Sequence, residues 1–181
     1  MSIFKTFKTI FAKSGEPRGE DPESAAESTE RRGRSRRNAR EGTRVLIIDD
    51  SPTIVAALRK FLRSAGYTTL EAGDAESGIE LARTEKPELI FLDIVLPGMN
   101  GFAALRLLRR DTATRDVPII MISGNEQATE QFFGTRIGAD DFMKKPFSRF
   151  EVFARIERLL DSNCVPHRQI AASSPSGSPS A

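Results

Sequence analysis

Five strand-length segments, most of them apolar, alternate with helix-length patterns between residues 44 and 161, and this alternation limits the folds available to the chain. The first run, residues 44–48, is apolar after its first position, which is typical of a strand buried on both faces of a sheet. Ile54, Leu58 and Phe61 then recur at helical spacing until Gly66 ends the pattern. Strands that alternate with helices predict an α/β fold, a doubly wound five-stranded parallel sheet with helices on both faces.

The remaining elements follow from the same two periodicities. Further strands are predicted over residues 67–71, 89–92, 117–122 and 141–143, and further helices over 74–84, after Gly101, over about 125–137 and after Ser148. Two helix starts carry capping signals. Ser51 precedes a proline at the first helical position, and Ser148 with Glu151 three residues later forms a capping box.

Composition separates this region from both ends of the chain. Residues 14–43 have no apolar periodicity, and an acidic block there precedes six arginines between positions 31 and 40. Such a stretch cannot bury enough surface to offset its ordering entropy, so we expect a disordered charged linker over 14–43. Residues 162–181 are rich in Ser, Pro and Ala, which predicts a disordered tail. The folded domain is therefore expected over residues 44–161.

The first thirteen residues carry a short amphipathic pattern. Its apolar members share one helical face: Ile3, Phe4, Phe7, Ile10 and Phe11. A helix over residues 2–13 would be about 18 Å long, too short to span a bilayer. It suits a membrane-surface anchor, a groove on a partner protein, or packing against the domain itself. We expect a tether that places the protein close to a membrane.

Residue counts exclude several classes of site. The chain has one cysteine, Cys164, and one histidine, His167, which rules out an internal disulfide framework and metal sites rich in Cys or His. We expect neither residue to be functional. No apolar run approaches the ~20 residues of a membrane span, so a cytoplasmic location is expected.

Polar side chains follow four of the predicted strands, at the edge where open α/β sheets bind their ligands. They are Asp49, Asp50, Asp93, Ser123, Lys144 and Lys145. Any one of them is most often an ordinary strand-end residue, but their joint occurrence favours a site. Clustered carboxylates without His or Cys indicate a hard cation, Mg²⁺ or Mn²⁺. A carboxylate beside such an ion, an ammonium and a hydroxyl is equipped for phosphoryl transfer.

Six motifs carry a resemblance to a known family. They are Asp49-Asp50, Asp93, residues 96–101, Ser123-Gly124, residues 138–141 and Lys145-Pro146-Phe147. With them, the segment from Thr43 to Asp161 resembles the receiver domain of two-component response regulators. The resemblance implies a flavodoxin-like sheet of strand order 2-1-3-4-5 with five helices.

The resemblance also implies roles for the acidic residues. Asp93 would accept a phosphoryl group from a sensor histidine kinase or a histidine phosphotransfer protein. Asp50 and Asp93 would bind Mg²⁺ together with the backbone carbonyl of Val95. Asp49 would act largely through coordinated water.

The resemblance assigns further roles to residues at the ends of the fourth and fifth strands. Ser123 and Lys145 would contact the phosphoryl oxygens, and Lys145 is preferred to Lys144 because the family's lysine directly precedes the proline. Phe142 occupies the aromatic switch position, and the Lys145–Pro146 peptide is expected to be cis. Two departures from the commonest pattern are Ser123 in place of threonine and Phe142, which has no phenolic hydroxyl.

The resemblance also implies how the protein would pass its signal to other proteins. Twenty residues follow Asp161, so no dedicated DNA-binding domain is expected there. A single-domain regulator of this kind is not an enzyme, apart from possible self-dephosphorylation. It would signal through the face formed by its fourth helix, fifth strand and fifth helix, and the chain is similar to regulators of type IV pili and twitching motility. Two alternatives are a phosphorylation-independent scaffold and nucleic-acid binding by the arginines of residues 31–40.

Overall fold

The computed structural model of the protein describes residues 37–134 and 138–168, in which five β-strands alternate with five α-helices. The strands are β1 (Arg44–Ile48), β2 (Thr68–Ala72), β3 (Leu89–Asp93), β4 (Ile119–Ser123) and β5 (Asp141–Lys144). The helices are α1 (Pro52–Arg63), α2 (Ala75–Glu85), α3 (Gly101–Arg110), α4 (Glu126–Gly134) and α5 (Arg149–Arg158). The amphipathic helix expected over residues 1–13 lies outside the described residues.

All four strand pairs are parallel, and the strand order is β2-β1-β3-β4-β5, which confirms the predicted topology. The register aligns the carboxyl ends of the strands. Ile48 pairs with Leu92, and Ser123 pairs with Lys144. Residues that end or follow β1, β3, β4 and β5 therefore meet at one edge of the sheet, here called the carboxyl edge.

Apolar side chains cover both faces of the sheet, as continuous apolar strands require. Alternate strand residues such as Leu46 and Leu92 pack with apolar residues of α2 and α3 on one face. Their neighbours, such as Ile47 and Phe91, pack with α1 and α5 on the other. The central strands β1 and β3 are thus held in place from both sides, and they carry the acidic residues.

Two strands begin later than the sequence predicts, because the first residues are used in turns. The Tyr67 N–H donates to the carbonyl of Leu62 at 3.2 Å, so Tyr67 belongs to the turn after α1. The Val117 N–H donates to the carbonyl of Thr114 at 3.1 Å, and Pro118 has no N–H for a strand ladder.

The two predicted caps differ in the structure. The Ser148 Oγ accepts the Glu151 N–H at 3.1 Å, so Ser148 caps α5 as expected. Ser51 holds the cap position of α1 without a side-chain capping bond, and its N–H donates to Asp49 Oδ1 at 3.0 Å.

The expected limits of disorder need correction at both ends of the domain. The sequence predicts linker and tail over residues 37–43 and 162–168, yet backbone hydrogen bonds hold both segments against the domain. Ala39, Thr43 and Pro166 are buried. Backbone hydrogen bonds and single buried residues hold these segments, and neither feature produces a periodic pattern. Residues 14–36 and 169–181 lie outside the described residues.

Within the part of the chain that the structure describes, no helix is both long and apolar enough to cross a membrane.

Candidate active site

Three carboxylates meet at the carboxyl edge of the sheet. Asp49 and Asp50 follow β1, and Asp93 ends β3. Asp49 and Asp93 are 1% and 3% exposed, whereas Asp50 is exposed to solvent. Each offers a carboxylate oxygen, and these oxygens all lie within 4.8 Å of one another. The adjacent strand ends thus bring together the acidic residues that the sequence predicts.

Lys145 joins two of these carboxylates. Its Nζ lies 2.7 Å from Asp49 Oδ2 and 2.8 Å from Asp93 Oδ2. The backbone holds this lysine in place, because the Lys145 N–H donates to the carbonyl of Ser123 at 2.8 Å. The Lys145–Pro146 peptide is cis, as expected.

The neighbouring Lys144 has a different environment. Its side chain is 56% exposed, and its Nζ lies 3.5 Å from Glu126 Oε1 at the start of α4. Lys145 is therefore the lysine that reaches the acidic cluster.

Burial and charge act in opposite directions at the centre of the site. Burial raises the pKa of Asp93, hydrogen bonding and charge attraction from Lys145 oppose this rise, and the Asp49 charge adds to it. Burial lowers the pKa of Lys145, but hydrogen bonds to Asp49 and Asp93 outweigh burial, so the net shift is upward. Lys145 therefore stays protonated, and its positive charge lies between two buried carboxylates.

Backbone groups orient both buried carboxylates. Asp49 Oδ1 accepts the Ser51 N–H, and Asp93 Oδ1 accepts the Val95 N–H at 3.3 Å. Val95 lies in the β3–α3 loop, two residues after Asp93, with an exposed side chain. The position predicted to supply a backbone ligand is thus beside the acidic cluster.

Gly101 brings the start of α3 against the backbone of Asp93. A Cβ atom at this position would lie 2.0 Å from the Asp93 carbonyl oxygen and 2.8 Å from Ile94 Cα. Only glycine permits this approach. No periodic pattern in the sequence marks this close approach, although Gly101 ends the motif over 96–101.

Ser123 ends β4 at the same edge and is fully buried. Its Oγ accepts the Asn125 N–H at 3.1 Å and lies 3.3 Å from the Asn125 carbonyl oxygen, to which it donates. The hydroxyl is thus at the predicted strand end and is held by the loop that leads into α4.

Phe142 is buried on β5, three residues before Lys145. Its ring stacks on that of Phe132 in α4, with 4.8 Å between ring centroids and 29° between planes. The aromatic residue predicted to act as a switch therefore connects β5 to α4.

Comparisons with known proteins agree with this geometry. A model of the response regulator receiver domain matches residues 45–157. Protein PilH of Pseudomonas aeruginosa is 39% identical over 117 residues, which are 65% of this chain and 97% of PilH. PhoP of Bacillus subtilis, an alkaline phosphatase synthesis transcriptional regulatory protein, is 38% identical, but the match covers 65% of this chain and only 48% of PhoP.

Solved structures show the same fold. The chemotaxis protein CheY4 of Vibrio cholerae matches with a TM-score of 0.61 at 26% identity, covering 66% of this chain and 99% of CheY4. The receiver domain of the sensor histidine kinase PA1611 from Pseudomonas aeruginosa matches with a TM-score of 0.58 at 29% identity, covering 65% and 95% of the two chains. That structure has a magnesium ion coordinated in its active site cleft.

The carboxylates of this chain suit the same ion. Magnesium prefers hard oxygen ligands, and the cluster of Asp49, Asp50 and Asp93 supplies carboxylate oxygens only. The exposed Asp50 leaves the cluster open to an ion from solvent. Since the family match covers more than half of the 181 residues and the strand order agrees with it, the chain belongs to the response regulator receiver domain family.

Proposed function

We propose that this protein is a response regulator that is phosphorylated on Asp93 by a histidine kinase or a histidine phosphotransfer protein. The observation that carries the proposal is the position of Lys145, whose Nζ lies within 2.8 Å of both Asp49 and Asp93 in a buried acidic cluster. Receiver domains use such an arrangement to accept a phosphoryl group. This chain has the three acidic residues, the hydroxyl of Ser123 and the lysine Lys145.

The chemistry is a transfer between two nucleophiles. A carboxylate oxygen of Asp93 attacks the phosphorus of a phosphohistidine and forms a new O–P bond. The P–N bond breaks, and its electron pair leaves with the imidazole nitrogen. The product is an acyl phosphate on Asp93.

Residues around Asp93 stabilise the charge of the transferring group. The Lys145 ammonium already contacts Asp93 Oδ2. Once the phosphoryl group is on Asp93, the ammonium can donate a hydrogen bond to a phosphoryl oxygen instead. The Ser123 hydroxyl can rotate away from Asn125 to donate to a second oxygen. Asp49, Asp50, Asp93 and the Val95 carbonyl would hold Mg²⁺, which supplies further positive charge at this step when bound.

Phosphorylation with a small donor tests the assignment directly. With acetyl phosphate and Mg²⁺, the full chain should gain the mass of one phosphoryl group, and the label should be base-labile. Asp93→Asn should remove the label because an amide is not a competent nucleophile. Asp116→Asn is the matched control, since Asp116 is exposed and pairs only weakly with Arg115 at 3.4 Å. Label that persists in Asp93→Asn would disprove the assignment.

The proposed output is control of pilus-dependent motility through protein contacts. PilH is similar to this chain across nearly its whole length, whereas the matched transcriptional regulators are covered over about half. The partner would bind the face formed by α4, β5 and α5, which includes the Phe132–Phe142 stack. In this function the protein is a phosphoacceptor, with no external substrate to turn over.

Twitching assays test this output. In cells that lack the protein, the wild-type chain and Asp116→Asn should restore the normal twitching phenotype, whereas Asp93→Asn should not. If Asp93→Asn restores normal twitching, the protein acts as a scaffold that does not need phosphorylation.

A further inference from the structure

Two segments outside the family match pack together on the receiver domain. They are residues 37–43 and 161–168, which we call the clasp, and the family match covers residues 45–157. Both segments lie at the amino ends of the strands, opposite the acidic site. Arg40 pairs with Glu88 directly before β3, and Asp140, which contacts Arg168, directly precedes β5.

The two halves of the clasp contact each other directly. The Arg40 N–H donates to the carbonyl of Cys164 at 3.1 Å. The Arg37 guanidinium donates through Nη2 to the carbonyl of Asp161 at 2.7 Å, and this nitrogen lies 3.6 Å from Cys164 Sγ. Each half therefore supplies hydrogen-bond partners to the other.

The N-terminal half is also held by the domain. Ala39 is buried against the core, and its N–H donates to the Tyr67 hydroxyl at 3.0 Å. The Gly42 N–H donates to the carbonyl of Gly66 at 2.9 Å.

The C-terminal half folds back on the end of α5. Asp161 Oδ1 accepts the N–H groups of Asn163 and Val165, which turns the chain. Pro166 is buried beside Leu160, and the His167 N–H donates to the carbonyl of Leu159 at 2.8 Å. This turn directs Arg168 towards Asp140.

Asp140 and two backbone carbonyls receive the Arg168 guanidinium. Its Nε lies 3.1 Å from Asp140 Oδ1, and its Nη1 and Nη2 lie 3.1 and 3.4 Å from the carbonyls of Arg115 and Gly138. The Asp140 side chain is 1% exposed and the Arg168 side chain 22%. Three acceptors thus match the fork of a guanidinium, which a lysine ammonium cannot reproduce.

A second arginine limits how tightly Arg168 binds. Arg109 Nη2 lies 2.7 Å from Asp140 Oδ2, and its Nε and Nη1 donate to the carbonyls of Gly138 and Arg115 at 2.8 and 3.2 Å. The two guanidinium groups therefore share all three acceptors. Burial lowers the pKa of Arg109 to about 10, with Asp140 opposing and Arg168 adding to the shift, so Arg109 stays charged at neutral pH. Repulsion between the two arginines therefore offsets part of the attraction of Arg168 to Asp140.

We propose that Asp140 and the carbonyls of Arg115 and Gly138 form a guanidinium-binding site whose ligand is the chain's own Arg168, and that opening this site releases both halves of the clasp together. The closed clasp fixes Arg37 and Arg168, the first and last residues that the structure describes, at the amino ends of the strands and away from Asp93.

Hydrogen exchange of the full chain, measured by mass spectrometry, tests the proposal. Arg168→Ala should speed backbone exchange about tenfold in residues 161–168, because it removes charged hydrogen bonds that close the segment. Residues 37–43 should show the same increase, although the hydrogen bonds of Arg168 go to Asp140, Arg115 and Gly138. Arg168→Lys should behave like Arg168→Ala, and Arg110→Ala, an exposed arginine of α3, should leave both segments protected.

Exchange in β1 and β3 reports whether a variant remains folded. If Arg168→Ala also speeds exchange in β1 and β3, the variant has unfolded, and Arg37→Ala then tests the coupling from the other half of the clasp. Arg37→Ala should speed exchange in both 37–43 and 161–168. Unchanged protection of 161–168 in a folded variant would overturn the guanidinium site. Opening of 161–168 alone, with 37–43 still protected, would overturn the coupling between the two halves.

Discussion

Lys144 and Lys145 are adjacent in the sequence, yet the structure surrounds their side chains differently. Lys145 lies between two buried carboxylates, and Lys144 faces solvent beside Glu126. Removing a cation from a buried cluster leaves its partners uncompensated, whereas an exposed pair contributes little. This contrast lets one pair of substitutions test the electrostatics of the site.

Lys145→Ala should lower the free energy of unfolding by about 1–3 kcal/mol in the presence of EDTA, since a charged hydrogen bond is lost at each buried carboxylate. Lys144→Ala should change it by less than about 0.5 kcal/mol. Urea denaturation of both variants measures the difference. Equal effects would show that the bridge from Lys145 does not stabilise the fold. Lys145→Ala should also uncouple phosphorylation of Asp93 from output.

Magnesium should stabilise the wild-type protein through the same cluster. An ion that binds only the folded state adds about 1.4 kcal/mol at ten times its dissociation constant. Asp50→Ala should reduce this gain because it removes an exposed carboxylate of the cluster, and Asp116→Asn should retain it. Thermal unfolding with Mg²⁺ and with EDTA gives the comparison, and a gain of the same size in Asp50→Ala would exclude Asp50 as a ligand.

Helices α1 and α5 begin after serines that the sequence predicts as N-caps, and only one of these serines acts as a side-chain cap. Ser148 Oγ accepts the Glu151 N–H, whereas Ser51 makes no capping bond with its side chain. The backbone N–H of Ser51 instead donates to Asp49 Oδ1 in the acidic cluster. The start of α1 thus helps to position a carboxylate.

Ser148→Ala should therefore cost about 1 kcal/mol of stability, the usual effect of losing a capping side chain. Ser51→Ala should cost only a few tenths of a kcal/mol, because the N–H that binds Asp49 is kept. Chemical denaturation of the two variants provides the measurement. A larger loss for Ser51→Ala would mean that its hydroxyl supports α1 in a way the structure does not show.

At the scale of the whole molecule, the strands and the acidic residues at the carboxyl edge were predictable because both follow from local sequence patterns. The alternation of strand-length and helix-length segments identified the five strands, and the polar residues after them identified Asp49, Asp50 and Asp93. The bridge from Lys145 to two carboxylates is a distance between strand ends, which no local pattern encodes. The clasp escaped prediction for a related reason, since Arg168 and Asp140 meet through the fold across a separation of 28 residues.

The first thirteen residues should localise the protein without affecting the chemistry of the domain. Their apolar face contains Phe4, Phe7 and Phe11, and lysines lie largely off that face, a pattern suited to the membrane surface or a partner groove. Since the receiver match starts at residue 45, deletion of residues 1–13 should leave phosphorylation of Asp93 intact. A fluorescently tagged chain should lose its membrane-proximal position in this deletion. Unchanged localisation would refute the tether, and a parallel drop in thermal stability would indicate that the segment packs on the domain instead.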